Sequence, residues 1–183
     1  GKGHEEIQIY KNKIYKISDK KIIKGTTIKS ENFSKKKFNY FENNLILQKI
    51  VGYKKFINFD GLSTDTRSIK KGNLFLALKG KKNNGNKFIK DALKKGASCV
   101  VSDSVKKIGK NIIKVKNATS FLNYFAKLKR EKSSANIIAI TGSAGKTSLK
   151  NLLGQLLKKF GETYFSPKSF NNHFGVPISL SNL

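Results

Sequence analysis

The stretch NIIAITGSAGKTSLKNLLGQLLKKFG, residues 136–161, constrains this chain more than any other. Asn136 to Ile140 is a short apolar run that reads as a strand. TGSAGKTS follows, and then Leu149, Leu152, Leu153, Leu156, Leu157 and Phe160 recur at helical spacing. That spacing predicts a helix with one buried stripe, stopped by Gly161. Strand, glycine loop and helix in this order are the setting in which a loop can cradle phosphates. Gly142 and Gly145 let the backbone turn so that N–H groups converge on phosphate oxygens, and the helix N-terminus adds partial positive charge. Ser143, Ala144 and Ser148 complete the expected phosphate-binding loop. Lys146 is expected to neutralise the β- and γ-phosphates, with the Thr147 hydroxyl as a ligand for Mg2+. The plainer alternative is a strand–helix turn that happens to contain GKT; the flanking periodicity argues against it.

Upstream, strands alternate with helices, which indicates an α/β fold. A helical stretch from Leu45 to Val51 ends at Gly52, and FDGLSTDTRSIKKGNLFLALKG follows. The polar turn KKNNGN leads into KFIKDALKKG, where Phe88, Ile89, Ala92 and Leu93 fall at helical spacing and Gly96 is placed as a C-terminal cap. ASCVVSD reads as a strand, as does Ile112 to Val115, and a helix is predicted from about Ser120 to Arg130. Nearer the start, Glu6 to Tyr10 and Ile14 to Ile17 alternate apolar and polar residues around a Lys-Asn-Lys turn, the pattern of a β-hairpin. A hairpin alone is marginal in water and needs further partners. Residues 31–44, rich in lysine and asparagine without a clean period, read as a linker.

Charge and cysteine content narrow the function classes. The formal charge is +27, which by itself suggests nucleic acid. Of the 38 basic residues, however, only Arg67 and Arg130 are arginines, the residue type that supplies bidentate and stacking contacts to bases. The lysines are also spread along the chain. No nucleic-acid partner is therefore expected, although a basic phosphate-loop module binding nucleic acid stays as an alternative. No apolar run has the length of a membrane span, so no membrane partner is expected. Cys99 is the single cysteine and sits in the apolar run ASCVV, which predicts a buried structural thiol and a cytoplasmic setting.

The loop is not the common G-x-x-x-x-G-K-[ST] form, because Ile140 stands where its first glycine belongs. T-G-S-x-G-K-T-S resembles instead the Mur ligase and folylpolyglutamate synthetase superfamily, whose members form amide bonds through an acyl phosphate. FSPKSFNNHFGVPISL resembles the Asn-Asn-x-x-Gly-Val-Pro segment of the Mur ligases, in the branch that adds D-alanyl-D-alanine to a UDP-N-acetylmuramoyl tripeptide. Asn171, Asn172, Gly175, Val176 and Pro177 match it. The resemblance implies Asn172 as a contact on the γ-phosphate or Mg2+ side. His173 fits packing or hydrogen bonding better than a base, which this chemistry does not need there. STDTRSIKKGNLFLALKGKKNNGNKFIKDALKKGA is similar to the domain of these ligases that holds the UDP end of the substrate, with Asp65, Arg67, Gly72, Leu74, Phe75, Ala77, Gly80, Gly85 and Phe88 matching. Thr66 keeps the hydroxyl of the family's serine, whereas Asn84 and Asn86 replace Asp and His. Ser63, Asp65, Thr66 and Arg67 are thereby implied to bind the UDP substrate. Read from the residues alone, the same loop could equally be a capped turn with Asp65 and Arg67 in a structural pair.

The resemblance implies a small α/β UDP-substrate domain at 45–132, followed by the start of a phosphate-loop ATPase domain at 133–183. It implies ATP and Mg2+ as cofactors, with Gly142, Ser143, Ala144, Gly145, Lys146, Thr147 and Ser148 binding ATP and Lys146 as the catalytic residue, and a UDP-N-acetylmuramoyl peptide and D-alanyl-D-alanine as partners, the amine site lying beyond this chain. The 183 residues alone are then expected not to catalyse. A ligase of the branch adding the third amino acid is the nearest alternative. That branch also enters at the front: GKGHE, with the strand and turn after it, resembles the carboxy-terminal end of such a ligase. There Gly1 and Glu5 would contact the incoming diamino acid. Residues 1–30 are accordingly expected to be a tail from that ligase, short and β-hairpin in form, joined through the linker to the main body. The chain contains no methionine, as expected of two ligases read in one frame.

Overall fold

A computed structural model describes residues 6–10, 13–18, 21–24, 35–52, 55–80, 83–105, 109, 111–166 and 174–183, with side chains from Asn39 onward. It divides into two compact units, one through Phe121 and one from Leu122.

In the first unit, β1 (Glu6–Tyr10), β2 (Lys13–Ser18) and β3 (Lys21–Lys24) form an antiparallel sheet in that order. Ile9 faces Ile14, and Ile17 faces Ile22. The expected hairpin is present with a third strand added, a partner of the kind a lone hairpin lacks.

Helix α1 spans Lys35–Val51, so the stretch read as a linker over 31–44 is helical from Lys35 onward. Its asparagines are poor helix formers, and tertiary bonds offset that preference. Asn44 is almost fully buried; its Nδ2 donates to the Tyr40 carbonyl at 2.6 Å and the Ile57 carbonyl at 2.7 Å, while its Oδ1 accepts from the Ile57 N–H at 2.9 Å. Asn43 Nδ2 donates to the Phe59 carbonyl at 3.1 Å. Phe41, Ile46 and Leu47 are buried on the same helix. The residues that look like linker composition are the ones that hold segment 57–59.

The core of this unit is a parallel sheet in the order β4 (Leu62–Ser63), β5 (Leu74–Ala77), β6 (Cys99–Ser102) and β7 (Ile112–Lys114). Every residue of β5 and β6 is buried, the condition of parallel strands covered on both faces. Between them, a 3-10 turn at Gly85–Phe88 runs into α2 (Ile89–Lys94). Ala92 and Ala97 pack with Phe75, Ala77 and Val100, and Ile69, Ile89, Leu93 and Ile112 flank that cluster. Phe88 departs from the predicted stripe and is 46% exposed, because a 3-10 turn advances three residues per turn and rotates it off the α2 face. Gly96 follows α2 with φ +90°, as its cap position predicts. Cys99 is fully buried, and burial pushes its thiol pKa up to about 12.

Helix α3 (Ala118–Lys132) crosses the division between the units. The second unit continues with α4 (Lys146–Leu157) and α5 (Gly175–Leu180). Two expectations fail here. Asn136 to Ile140 forms no strand, and Ile137 and Ile138 are exposed. The α4 stripe is not buried either: Leu149, Leu152, Leu156 and Phe160 are exposed, and Leu153 and Leu157 are half-buried. Periodicity identifies the apolar face of a helix, but burial needs a covering element. Among the described residues no strand pairs with 136–140 to begin one. No helix among the described residues is long and apolar enough to cross a membrane.

Two outcomes are expected. Asn44→Ala strands the Ile57 N–H and carbonyl together and should lower stability by about 2–4 kcal/mol in urea denaturation. Cys99 should resist iodoacetamide at pH 8 in the folded chain and react on unfolding, as followed by mass spectrometry; rapid labelling of the folded chain would contradict its burial.

Candidate functional site

Two loops hold the candidate residues, one in each unit. In the second unit, Gly142 to Gly145 lead into α4. Gly145 has φ +74° and occupies the N-cap position, so no side chain caps the helix. A side chain is disfavoured in that left-handed conformation, which is the physical use of glycine there. The first helical bond runs from the Leu149 N–H to the Gly145 carbonyl at 2.9 Å. N–H groups of the first helical turn have no partner within the helix, and they concentrate its partial positive charge. Lys146 folds back over the loop, its Nζ donating to the Gly142 carbonyl and, at 3.3 Å, to the Ser143 carbonyl. Gly142, Ser143, Ala144, Gly145, Lys146, Thr147 and Ser148 are therefore one exposed structure with cationic and N–H character, open to an anion. Asn171, Asn172 and His173 lie outside the described residues, as do Gly1 and Glu5.

The segment after α4 packs back on it. Gly154 is the one buried residue of α4, and a Cβ there would lie 2.3 Å from Phe165 Cδ1. Lys158 Nζ stands 5.0 Å from the centre of the Phe165 ring. Lys150 Nζ donates to the Ser166 carbonyl at 2.5 Å. These contacts fix the chain just ahead of the Asn-Asn segment, and neither Lys150 nor Gly154 is marked by the loop motif.

In the first unit, the second candidate loop leaves the carboxyl end of β4. Ligands of parallel α/β sheets bind outside the carboxyl ends of the strands. Ser63 Oγ accepts from the Asp65 N–H at 3.2 Å. Asp65 caps the turn, accepting from the Arg67 N–H at 2.9 Å, and holds the guanidinium through Nε at 2.9 Å and Nη2 at 2.7 Å. The structural pair envisaged from the residues is thus formed, and it holds the Arg67 pKa above its usual value. Arg67 nonetheless remains 82% exposed at its side chain, so its outer N–H groups face solvent. Thr66 is buried and faces the other way.

At the carboxyl ends of β5 and β6 lies a neutral polar network that sequence reasoning had not assembled. Asn84 Oδ1 accepts from the Asn86 N–H at 3.1 Å and from its Nδ2 at 2.9 Å. Ser102 Oγ, fully buried, donates to Asn86 Oδ1 at 2.5 Å. Asn84 therefore supplies the acceptor that an aspartate would, without charge. Gly85 between them has no room for a side chain, since a Cβ would lie 2.7 Å from the Leu78 carbonyl oxygen. Only the pairing of β5 with β6 brings Ser102 to Asn86, so the local pattern carried no signal for it. Among the described residues, no cluster of three His, Cys, Asp or Glu could hold a metal ion.

Gly154→Ala should destabilise the chain by about 1–3 kcal/mol, the cost of overpacking against Phe165. Phe165→Leu in the same chain should recover part of the loss; a null Gly154→Ala result in thermal denaturation would refute the close approach.

Residues 58–130 match the Mur ligase family, catalytic domain, and residues 140–183 match the Mur ligase middle domain. The UDP-N-acetylmuramoyl-tripeptide–D-alanyl-D-alanine ligase of Buchnera aphidicola subsp. Baizongia pistaciae is 38% identical over 130 residues, 69% of this chain and 28% of that protein. A MurF ligase of Thermotoga maritima solved in complex with ADP superposes with a TM-score of 0.50 at 32% identity, over 67% of this chain and 29% of that one. A MurF structure from Acinetobacter baumannii gives a TM-score of 0.61 at 26% identity, over 76% and 32%. The chain thus spans less than a third of the length of these relatives.

Proposed function

Across residues 58–130 and 140–183 the chain belongs to the Mur ligase family, and from that premise we propose that it carries the UDP-substrate and nucleotide-binding parts of an ATP-dependent peptide ligase. The ligase joins D-alanyl-D-alanine to a UDP-N-acetylmuramoyl tripeptide in peptidoglycan precursor synthesis, a reading supported by the named relatives. A cytoplasmic setting goes with it, because ATP and a UDP-linked precursor are the substrates. The observation that carries the reading is the Gly142–Ser148 loop, with left-handed Gly145 opening an uncapped helix and Lys146 folded over the loop.

In the reaction, a carboxylate oxygen of the tripeptide attacks the γ-phosphorus of ATP and the bond to the ADP oxygen breaks. The D-alanyl-D-alanine amine then attacks the acyl carbon, inorganic phosphate leaves, and the amine proton passes to solvent. The work of this chain is positioning and charge neutralisation. Loop N–H groups from Gly142 to Ser148 bind phosphate oxygens. Lys146 exchanges its two loop carbonyls for the β- and γ-phosphates and holds the migrating group. Mg2+ takes few protein ligands and completes its shell with phosphate and water, and the Thr147 hydroxyl would be one of its protein donors. The ion would supply further neutralisation of phosphate charge. Asn172 contributes on the γ-phosphate side.

Ser63, Asp65, Thr66 and Arg67 form the UDP-holding loop, with the outer face of Arg67 toward the diphosphate. The GKGHE resemblance supports reading residues 1–30 as the end of a ligase that adds the third amino acid, with Gly1 and Glu5 on the side of its diamino acid.

A fluorescent ATP analogue should bind the chain, and Lys146→Ala should weaken it about ten- to hundredfold, the range of one or two charge-assisted hydrogen bonds. Equal affinity of the two proteins, or no binding by either, would remove the basis of the nucleotide assignment.

A further inference from the structure

The Ser63–Arg67 loop is anchored from behind by α2. Lys95, one residue past the end of that helix, donates from Nζ to the Thr66 carbonyl at 3.0 Å. The same ammonium pairs with Asp91 Oδ2 at 3.1 Å. The Thr66 side chain first, and Lys95 second, hold the Asp91 carboxyl below its usual pKa. Thr66 is thus held at its carbonyl by Lys95, which Asp91, one helical turn earlier, holds in place. A second tie lies beyond the loop, where the Gly72 N–H donates to the Gly96 carbonyl at 2.9 Å.

An exposed Asp–Lys pair at i, i+4 ordinarily contributes little to stability, and these two side chains are 41% and 45% exposed. This pair differs in what it reaches. With Thr66 drawn inward, the residue after it is turned outward, and Asp65 locks the Arg67 guanidinium in that attitude. We propose that Asp91 and Lys95 are positioning residues, which act through Thr66 to present Arg67 to the diphosphate of the UDP substrate. The inference rests on reading the loop as the UDP-holding element. Pre-ordering of this kind raises affinity by removing the ordering cost from the binding step.

The test measures two quantities on the 183-residue chain: amide hydrogen exchange at Arg67 and Ser68, and the dissociation constant for UDP. Lys95→Met should speed exchange at those two amides about tenfold, the loss expected from one charge-assisted hydrogen bond, while Phe75 and Val100 in the sheet stay unchanged. It should also weaken UDP severalfold, and Lys95→Arg, which keeps a donor, should restore both. Asp91→Ala should act in the same direction as Lys95→Met. Unchanged exchange at Arg67 and Ser68 would overturn the brace. Faster exchange with unaltered UDP affinity would overturn its role in presenting Arg67. If the unsubstituted chain binds no UDP while the exchange pattern is as expected, the UDP reading of the loop falls and the brace stands. Faster exchange throughout the sheet would mean a general loss of stability, and that too would overturn the proposal.

Discussion

The parallel pairing of β5 with β6 is the constraint on which the first unit depends. Both strands are buried along their whole length, so neither can exist without a cover on each face. Parallel strands also need a crossover between them. Here the 3-10 turn and α2 form that crossover, and α2 is at once a cover for Phe75 and Val100 and the mount for Asp91 and Lys95. Parallel order further sends every connecting loop from a carboxyl end, so the Ser63–Arg67 loop and the Asn84–Asn86 turn emerge along one edge of the sheet. The placement of the polar residues follows from the direction of the strands.

The two loops solve different problems with similar means. At Gly142–Ser148 the backbone would be the binding element under the proposed reading, and the residue requirements are permissive: glycine where φ is positive, a lysine, a hydroxyl. At Ser63–Arg67 the side chains would be the binding element, and they are held. Asp65 holds Arg67 from within the loop, and Lys95, paired with Asp91, holds Thr66 from outside it. Replacement of charged family residues by Asn84 and Asn86 fits this picture, since the turn there needs an acceptor and a buried partner for Ser102 rather than a charge.

The glycine turn that opens α4 was legible because its determinants are local: eight consecutive residues specify turn, charge and hydroxyl. The core of β6 and the burial of Cys99 were legible for a similar reason, as an uninterrupted apolar run, and so was the cap at Gly96. Helix α1 was not legible over 35–44. Its asparagines suggest a linker by propensity, and the reason they are helical is the backbone of Ile57 and Phe59, thirteen to sixteen residues away. Phe88 misled through period, since three residues per turn and 3.6 diverge within one turn. The α4 stripe misled in a third way. The sequence correctly marks Leu149, Leu152 and Leu156 as one face, but a face is not a burial.

The sequence by itself determined the residue types that can bind phosphate, the α/β alternation, and the membership that the motif suggested. Each of these depends on neighbours within a few positions, where covalent geometry and local period suffice. Tertiary structure alone decided that Thr66 turns inward, that Lys95 reaches Thr66, and that Ser102 meets Asn86. Those contacts join residues on different elements, and they exist only once buried apolar strands have fixed which loops share an edge.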